Sequence, residues 1–194
     1  MALQSTMYQK QNIYVSAAPW TMHEFFAGSG LVAYGLKGMF APVWANDISE
    51  QKAAVYEANF GCNQFILDDI KNIKGSVLPF AHLSWASFPC QDLSLAGSIG
   101  GIYASRSGLV WEWLRVLDEM DNKPKILLVE NVAGLLSTNG GDNYRVLHLA
   151  LTERGYRCGA ILLNASHFVP QSRPRVFIIA VREDCPIPAE LVGN

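Results

Sequence analysis

Short apolar runs along this chain alternate with stretches whose apolar positions recur every three or four residues. The runs are "MHEFFAG" (22–28), "APVWAND" (41–47), "HLSWASF" (82–88), "KILLVEN" (125–131), "CGAILLNAS" (158–166) and "RVFIIAV" (175–181). Rich in branched and aromatic residues, they read as strands buried on both faces. Between them, "GLVAYGLKGM", "SEQKAAVYEANF", "SGLVWEWLRVLDEM" and "DNYRVLHLALTERG" carry helical spacing. Ser49, Ser107 and Asp142 stand as N-caps of the last three, and Gly155 closes the fourth. Strand and helix in this rhythm predict an α/β, Rossmann-like fold, a mostly parallel sheet with helices on both faces. The last two runs are joined by "HFVPQSRPR", too short for a crossover helix, so the last strand is expected to be antiparallel or split from its neighbour.

The chain has 194 residues, half of them hydrophobic, enough for one core. The expected organisation is an arm over 1–20, a catalytic domain over 21–185 and a tail over 186–194. No window resembles a membrane span or a signal peptide, and the expected location is cytoplasmic. Cys62, Cys90, Cys158 and Cys185 stand far apart without a C-x-x-C pair or grouped histidines, which speaks against a metal site or a disulfide framework. A net charge of −2 gives the chain no overall footprint for a polyanion.

Candidate chemistry collects where strands end, and in open α/β sheets ligands lie beyond those ends. "FFAGSGLVA" sets Gly28, Gly30 and Ala33 in a G-x-G-x-x-A spacing between strand and helix, suited to a tight turn and a close ligand. Asp47 follows about twenty residues later, where a carboxylate accepts ribose hydroxyls. Together they point to an adenosine cofactor without choosing between a nicotinamide dinucleotide and S-adenosylmethionine. After "QFILDD", Asp68 reads as a helix-capping loop acid and Asp69 as a group facing an adenine amine. Cys90 sits in a stiff polar loop past a strand and is a nucleophile candidate, although an inert thiol fits that position as well. Glu130 arrives at the end of a buried strand, where it is a candidate acid or a loop residue capping N–H groups. Arg173 and Arg175 alternate at a strand start and would present two guanidinium groups on one side, as an anion clamp or a solvated edge.

Taken in order, these stretches resemble the DNA (cytosine-5) methyltransferase family, from about Glu24 to Val181. "FAGSG" is similar to its first motif, "SFPCQDLS" to its Pro-Cys loop, "SRSGLVWE" to its fifth motif, "ENV" to its acid motif and "QSRPR" to its Gln-x-Arg-x-Arg motif. The resemblance implies a covalent mechanism in which Cys90 attacks a flipped cytosine of duplex DNA. Glu130 would protonate the base, and Arg175 with Arg173 would hold its carbonyl oxygen and orient Glu130. It also implies S-adenosylmethionine as cofactor, lined by Phe26, Gly28, Ser29, Gly30, Asp47, Ile48, Asp69, Ile70, Pro89 and Leu109, with Gln91 and Ser94 touching the substrate strand. No metal is implied.

Leu31 stands where the family often has a second glycine and Glu24 where it often has aspartate. No target-recognition domain and no final Gly-Asn motif follow the arginines. The expectation is therefore a catalytic half, split or truncated, that works with a second polypeptide in a prokaryotic or phage setting. The alternatives are an RNA cytosine-5 methyltransferase, a non-catalytic S-adenosylmethionine-binding module, or, from the glycine loop alone, a nicotinamide-dependent dehydrogenase.

Overall fold

The computed structural model describes residues 20–89 and 108–187. Seven strands form one sheet: β1 (Trp20–Phe25), β2 (Phe40–Asp47), β3 (Phe65–Leu67), β4 (Leu83–Ala86), β5 (Ile126–Val132), β6 (Tyr156–Asn164) and β7 (Pro174–Arg182), in the order β3-β2-β1-β4-β5-β7-β6. Strands β3, β2, β1, β4 and β5 pair in parallel, while β7 is antiparallel to both β5 and β6. The short connection before β7 thus makes an antiparallel neighbour of β6, and β7 fills the gap that the β5-to-β6 crossover leaves open.

Among the described residues four α-helices connect the strands: α1 (Leu31–Gly35), α2 (Glu50–Phe60), α3 (Leu109–Asp118) and α4 (Asp142–Thr152). The apolar spacing predicts that α1 runs to Met39, yet it stops at Gly35. Gly35 disfavours helix, and Gly38 follows in the left-handed region at φ 90°. Asp142 is the first helical residue of α4 instead of its cap, because Gly141 takes the cap position at φ 88°. Asp142 there pairs with Arg145 Nε at 3.2 Å. Ser49 does occupy the cap position of α2, but without a side-chain bond. Gly108 caps α3, and Ser107 lies outside the described residues. Among the described residues no helix is long and apolar enough to cross a membrane.

The two sheet faces are covered unequally. On one, α3 and α4 bury the main core, in which Trp113, Leu114, Leu117, Leu147 and Leu151 pack against Phe25, Leu127, Val129, Val176 and Ile178. On the other, α1 and α2 cover β1, β2 and β3 with two smaller clusters around Tyr56 and Met22. Among the described residues no helix covers the second face over β5, β7 and β6: Ile126, Leu128 and Phe177 are only partly buried, and Ile161 and Leu163 are 45% and 39% exposed.

Candidate active site

The sheet order reverses between β1 and β4, so the carboxyl ends of the parallel strands there form a crevice. Most candidate cofactor residues follow β1, β2 and β3 on one side of that point, and the candidate reacting residues lie past β4, near the end of β5 and at the start of antiparallel β7 on the other.

The glycine loop is constrained from several sides. Phe26, Gly28 and Gly30 all have left-handed backbones, at φ 58°, 58° and 82°. For phenylalanine this conformation is strained, and such strain clusters where a loop must hold a particular shape. At Gly30 a Cβ would stand 2.5 Å from Cε2 of Phe60, so only glycine fits beneath α1. Asp47 then stitches the loop to the next strand: its Oδ2 accepts the Gly28 N–H and its Oδ1 the Ser49 N–H, both at 2.9 Å. Lys52 Nζ lies 3.9 Å from the same carboxylate. Each oxygen uses one lone-pair direction on the backbone and keeps another for a ribose hydroxyl, which fits the carboxylate to an adenosine ligand.

Asp69 takes the capping role expected of Asp68, accepting the Lys71 N–H at 3.0 Å over the turn Ile70–Asn72. Asp68 instead accepts from Asp69 N and from Asn72 Nδ2. Ile70 is buried in the main core, whereas Ile48 is 68% exposed at the crevice. Leu109 packs on the main core at the start of α3.

Across the crevice, Pro89 is exposed directly after buried Phe88, whose carbonyl accepts from Asn131 Nδ2 at 3.1 Å. Asn131 is 4% exposed and so anchors the root of the Pro-Cys loop to β5. Cys90, Gln91 and Ser94 lie outside the described residues.

Glu130 lies within β5, two residues before its end, on the second face of the sheet. Its Oε1 is 3.6 Å from Nε of Arg175, with both side chains about one-fifth exposed. Arg175 opposes Val132 in the β5–β7 register, which makes the pair a diagonal cross-strand contact. Only Arg175 joins Glu130: Arg173 precedes β7, is exposed, and is tied through its backbone N–H to Asn164 Oδ1 at 2.8 Å. The alternation expected to align the two arginines begins one residue too late.

Two groups near the site carry no assignment from sequence. Ser87 Oγ donates to Glu130 Oε2 at 3.3 Å and accepts from Trp85 Nε1 at 2.8 Å. The signal for them was the i, i+2 spacing of Trp85 and Ser87 on the strand leading to Cys90. The other is Glu24, which is fully buried under α1; burial raises its pKa to about 7. The N–H groups of Val32 and Ala33 oppose that rise, although neither carboxylate oxygen reaches hydrogen-bond geometry.

The sequence matches the model of the C-5 cytosine-specific DNA methylase family over residues 20–192. Among curated relatives, the type II methyltransferase M.Bsp6I of Bacillus sp. (strain RFL6) is 36% identical over 81% of this chain and 50% of its own length. M.HhaI of Haemophilus parahaemolyticus is 32% identical over 83% of this chain and 49% of its own. The crystal structure of the S. pombe Dnmt2 methyltransferase superposes with a TM-score of 0.69 at 25% identity, covering 87% of this chain and 52% of that one. This chain thus spans about half the length of the relatives it matches. With a Rossmann-like sheet, a glycine loop stitched to Asp47, and Glu130 beside Arg175 at the crevice, the chain belongs to the C-5 cytosine-specific DNA methylase family, whose cofactor is S-adenosylmethionine.

Proposed function

We propose that this chain carries the reacting half of an enzyme that methylates carbon 5 of cytosine in duplex DNA. The observation that carries the reading is the Glu130–Arg175 pair, held at the crevice beside the root of the Pro-Cys loop and across from the Asp47 stitch. The target base is flipped out of the duplex, because its ring is shielded inside the stack. The Cys90 thiolate adds to carbon 6, and the electron pair of the 5,6 double bond shifts so that carbon 5 becomes enamine-like. Glu130 donates a proton to ring nitrogen 3 as negative charge develops there, while Arg175 faces the base's carbonyl oxygen and fixes the acid. Gly28, Ser29, Gly30 and Asp47 hold the cofactor, with Phe26, Ile48, Asp69 and Pro89 at its edges and Ile70 and Leu109 supporting from below. S-adenosylmethionine supplies an electrophilic methyl group. The carbon-5 proton then passes to a water molecule, its bonding pair re-forms the 5,6 double bond and expels the Cys90 thiolate, and the proton on ring nitrogen 3 returns to Glu130. Gln91 and Ser94, on the same loop as the thiol, contact the substrate strand.

The second polypeptide segment is proposed from the second face of the sheet. Ile126, Leu128 and Phe177 are partly buried apolar residues of that face, packed on the same cluster as Val32 and Leu36 of α1 and its flank, and Leu31 and Tyr34 of α1 are 78% and 71% exposed. Exposed apolar surface of this kind is a seat for protein. A segment docked there also supplies the DNA-reading surface, for which a net charge of −2 is poorly suited.

The test is methyl transfer from labelled S-adenosylmethionine to duplex DNA and to transfer RNA in parallel. The protein is assayed alone and supplemented with source-cell lysate, with Cys90→Ser and Glu130→Gln as controls. Transfer to DNA that needs the supplement and disappears with both substitutions supports the reading. Transfer to RNA alone, or transfer that survives Cys90→Ser, overturns it.

A further inference from the structure

We propose that Ser87 is a positioning residue for Glu130, held in its donor orientation by the indole of Trp85. The inference rests on the role given to Glu130 above. An indole N–H can only donate, so at 2.8 Å from Trp85 Nε1 the Ser87 oxygen must be the acceptor. The Ser87 proton is left to point elsewhere, and the group in reach is Glu130 Oε2 at 3.3 Å. Oε2 can accept that proton as a carboxylate oxygen or as the carbonyl oxygen of a carboxylic acid, so the direction of the Trp85–Ser87–Glu130 chain follows from the donor-only indole at its start.

The strand geometry makes this arrangement rigid. Ala86 pairs with Val129, which sets Ser87 beside Glu130, and the Ser87 N–H reaches the carbonyl of Phe25 at 3.4 Å. Trp85 is 9% exposed and meets Phe177 edge-on at 6.2 Å; Phe177 in turn opposes Glu130 across β5 and β7. One carboxyl oxygen is therefore held by a hydroxyl immediately past β4 and the other by a guanidinium from β7. Because Ser87 precedes Cys90 by three residues on the same loop root, a single hydroxyl ties the acid to the strand that carries the thiol. Fixing the plane of a proton-transferring carboxylate in this way raises the share of productive geometries without touching the substrate.

The experiment has two arms on the full chain. In the first, the Trp85 indole N–H resonance, assigned by its loss in Trp85→Phe, is followed by nitrogen–proton NMR. Glu130→Gln is expected to move that resonance when Ser87 is present and to leave it in place in a Ser87→Ala background. In the second, methyl transfer to duplex DNA is measured under the supplemented conditions above. Ser87→Ala is expected to lower kcat about tenfold, as for loss of a hydrogen bond to a charged group, with KM unchanged. Ser87→Thr, which keeps the hydroxyl, recovers most of that loss. An indole resonance that answers Glu130→Gln equally with and without Ser87 overturns the proposal, as does an unchanged kcat in Ser87→Ala. If the unsubstituted protein transfers no methyl group at all, the functional reading fails, and the resonance experiment still decides the link between Trp85, Ser87 and Glu130.

Discussion

Substituting Glu24 tests the buried end of β1, where His23 and Glu24 are adjacent, fully buried and titrate in opposite senses. Burial raises Glu24 from its ordinary 4.5 to about 7, and lowers His23 from 6.5 to about 4. Between pH 4.5 and 7 the folded chain keeps the Glu24 proton while the unfolded chain releases it, so this group lowers stability as pH rises. For His23 the unfolded chain takes up a proton below 6.5 that the folded chain refuses until about 4, so this group lowers stability as pH falls. Each gap corresponds to about 3 kcal/mol when fully expressed. Over the shared window the two slopes nearly cancel, and the pair contributes little pH dependence while both residues are present. Removing one unmasks the other. Relative to the parent, Glu24→Gln should gain about 2 kcal/mol of stability between pH 5 and pH 7. His23→Gln, whose amide can still donate to the carbonyl of Pro79, should lose about 2 kcal/mol over the same interval. Urea unfolding of the three proteins at pH 5, 6, 7 and 8 and constant ionic strength measures both. A parent-to-Glu24→Gln difference that is the same at every pH would refute the idea that burial holds the proton on this carboxyl.

Three further outcomes follow from contacts elsewhere in the chain. Asp47→Asn should weaken thermal protection by S-adenosylhomocysteine and cost about 1–3 kcal/mol, because one of the Gly28 and Ser49 N–H groups then faces an amide donor; calorimetry with and without ligand measures both effects. Gly30→Ala should destabilise by about 2–4 kcal/mol in urea titrations, combining a left-handed backbone at φ 82° with a Cβ driven into the Phe60 ring. Gly75→Ala, far from the crevice, should cost about 3 kcal/mol by the same measurement and leave cofactor binding intact, because its Cβ would fall 1.9 Å from the carbonyl oxygen of Val116 in α3.

Most strands were legible because their apolar runs are buried on at least one face, while β6, whose run is largely exposed, was legible from its branched residues alone; the glycine loop with Asp47 was legible because its chemistry is local. Boundaries were less so. α1 lost its last turn to Gly35 and Gly38, and α4 took Gly141 as its cap, since backbone freedom at glycine outweighed apolar spacing in one case and side-chain capping in the other. Ile70 reads as a residue beside an acidic loop, yet its side chain turns into the main core because the turn led by Asp69 points it there. Arg173 and Arg175 look equivalent in sequence and are separated by where β7 begins. The burial of Glu24 and the contact of Ser87 with Glu130 could not be read from the sequence: each depends on a neighbour from another strand or helix, and that adjacency is set by the sheet order.

The sheet order also explains why the second, partly apolar face and the proposed reacting groups belong together. Glu130, Phe177 and Arg175 alternate with buried Val129, Ile178 and Val176, so the main core holds the strands from one side while the proposed reacting groups Glu130 and Arg175 project from the other. Leu128 and Phe177 share that second face with Glu130. A segment covering them would also exclude water from the Glu130–Arg175 pair and the Ser87 hydroxyl. Desolvation strengthens such interactions, since the same charges attract more strongly as the effective dielectric falls. Docking of the segment and arrangement of the acid are on this argument one event. A surface-disrupting change such as Leu128→Glu should therefore reduce kcat of the supplemented enzyme even at saturating cofactor, and a change in KM for cofactor alone would count against this coupling.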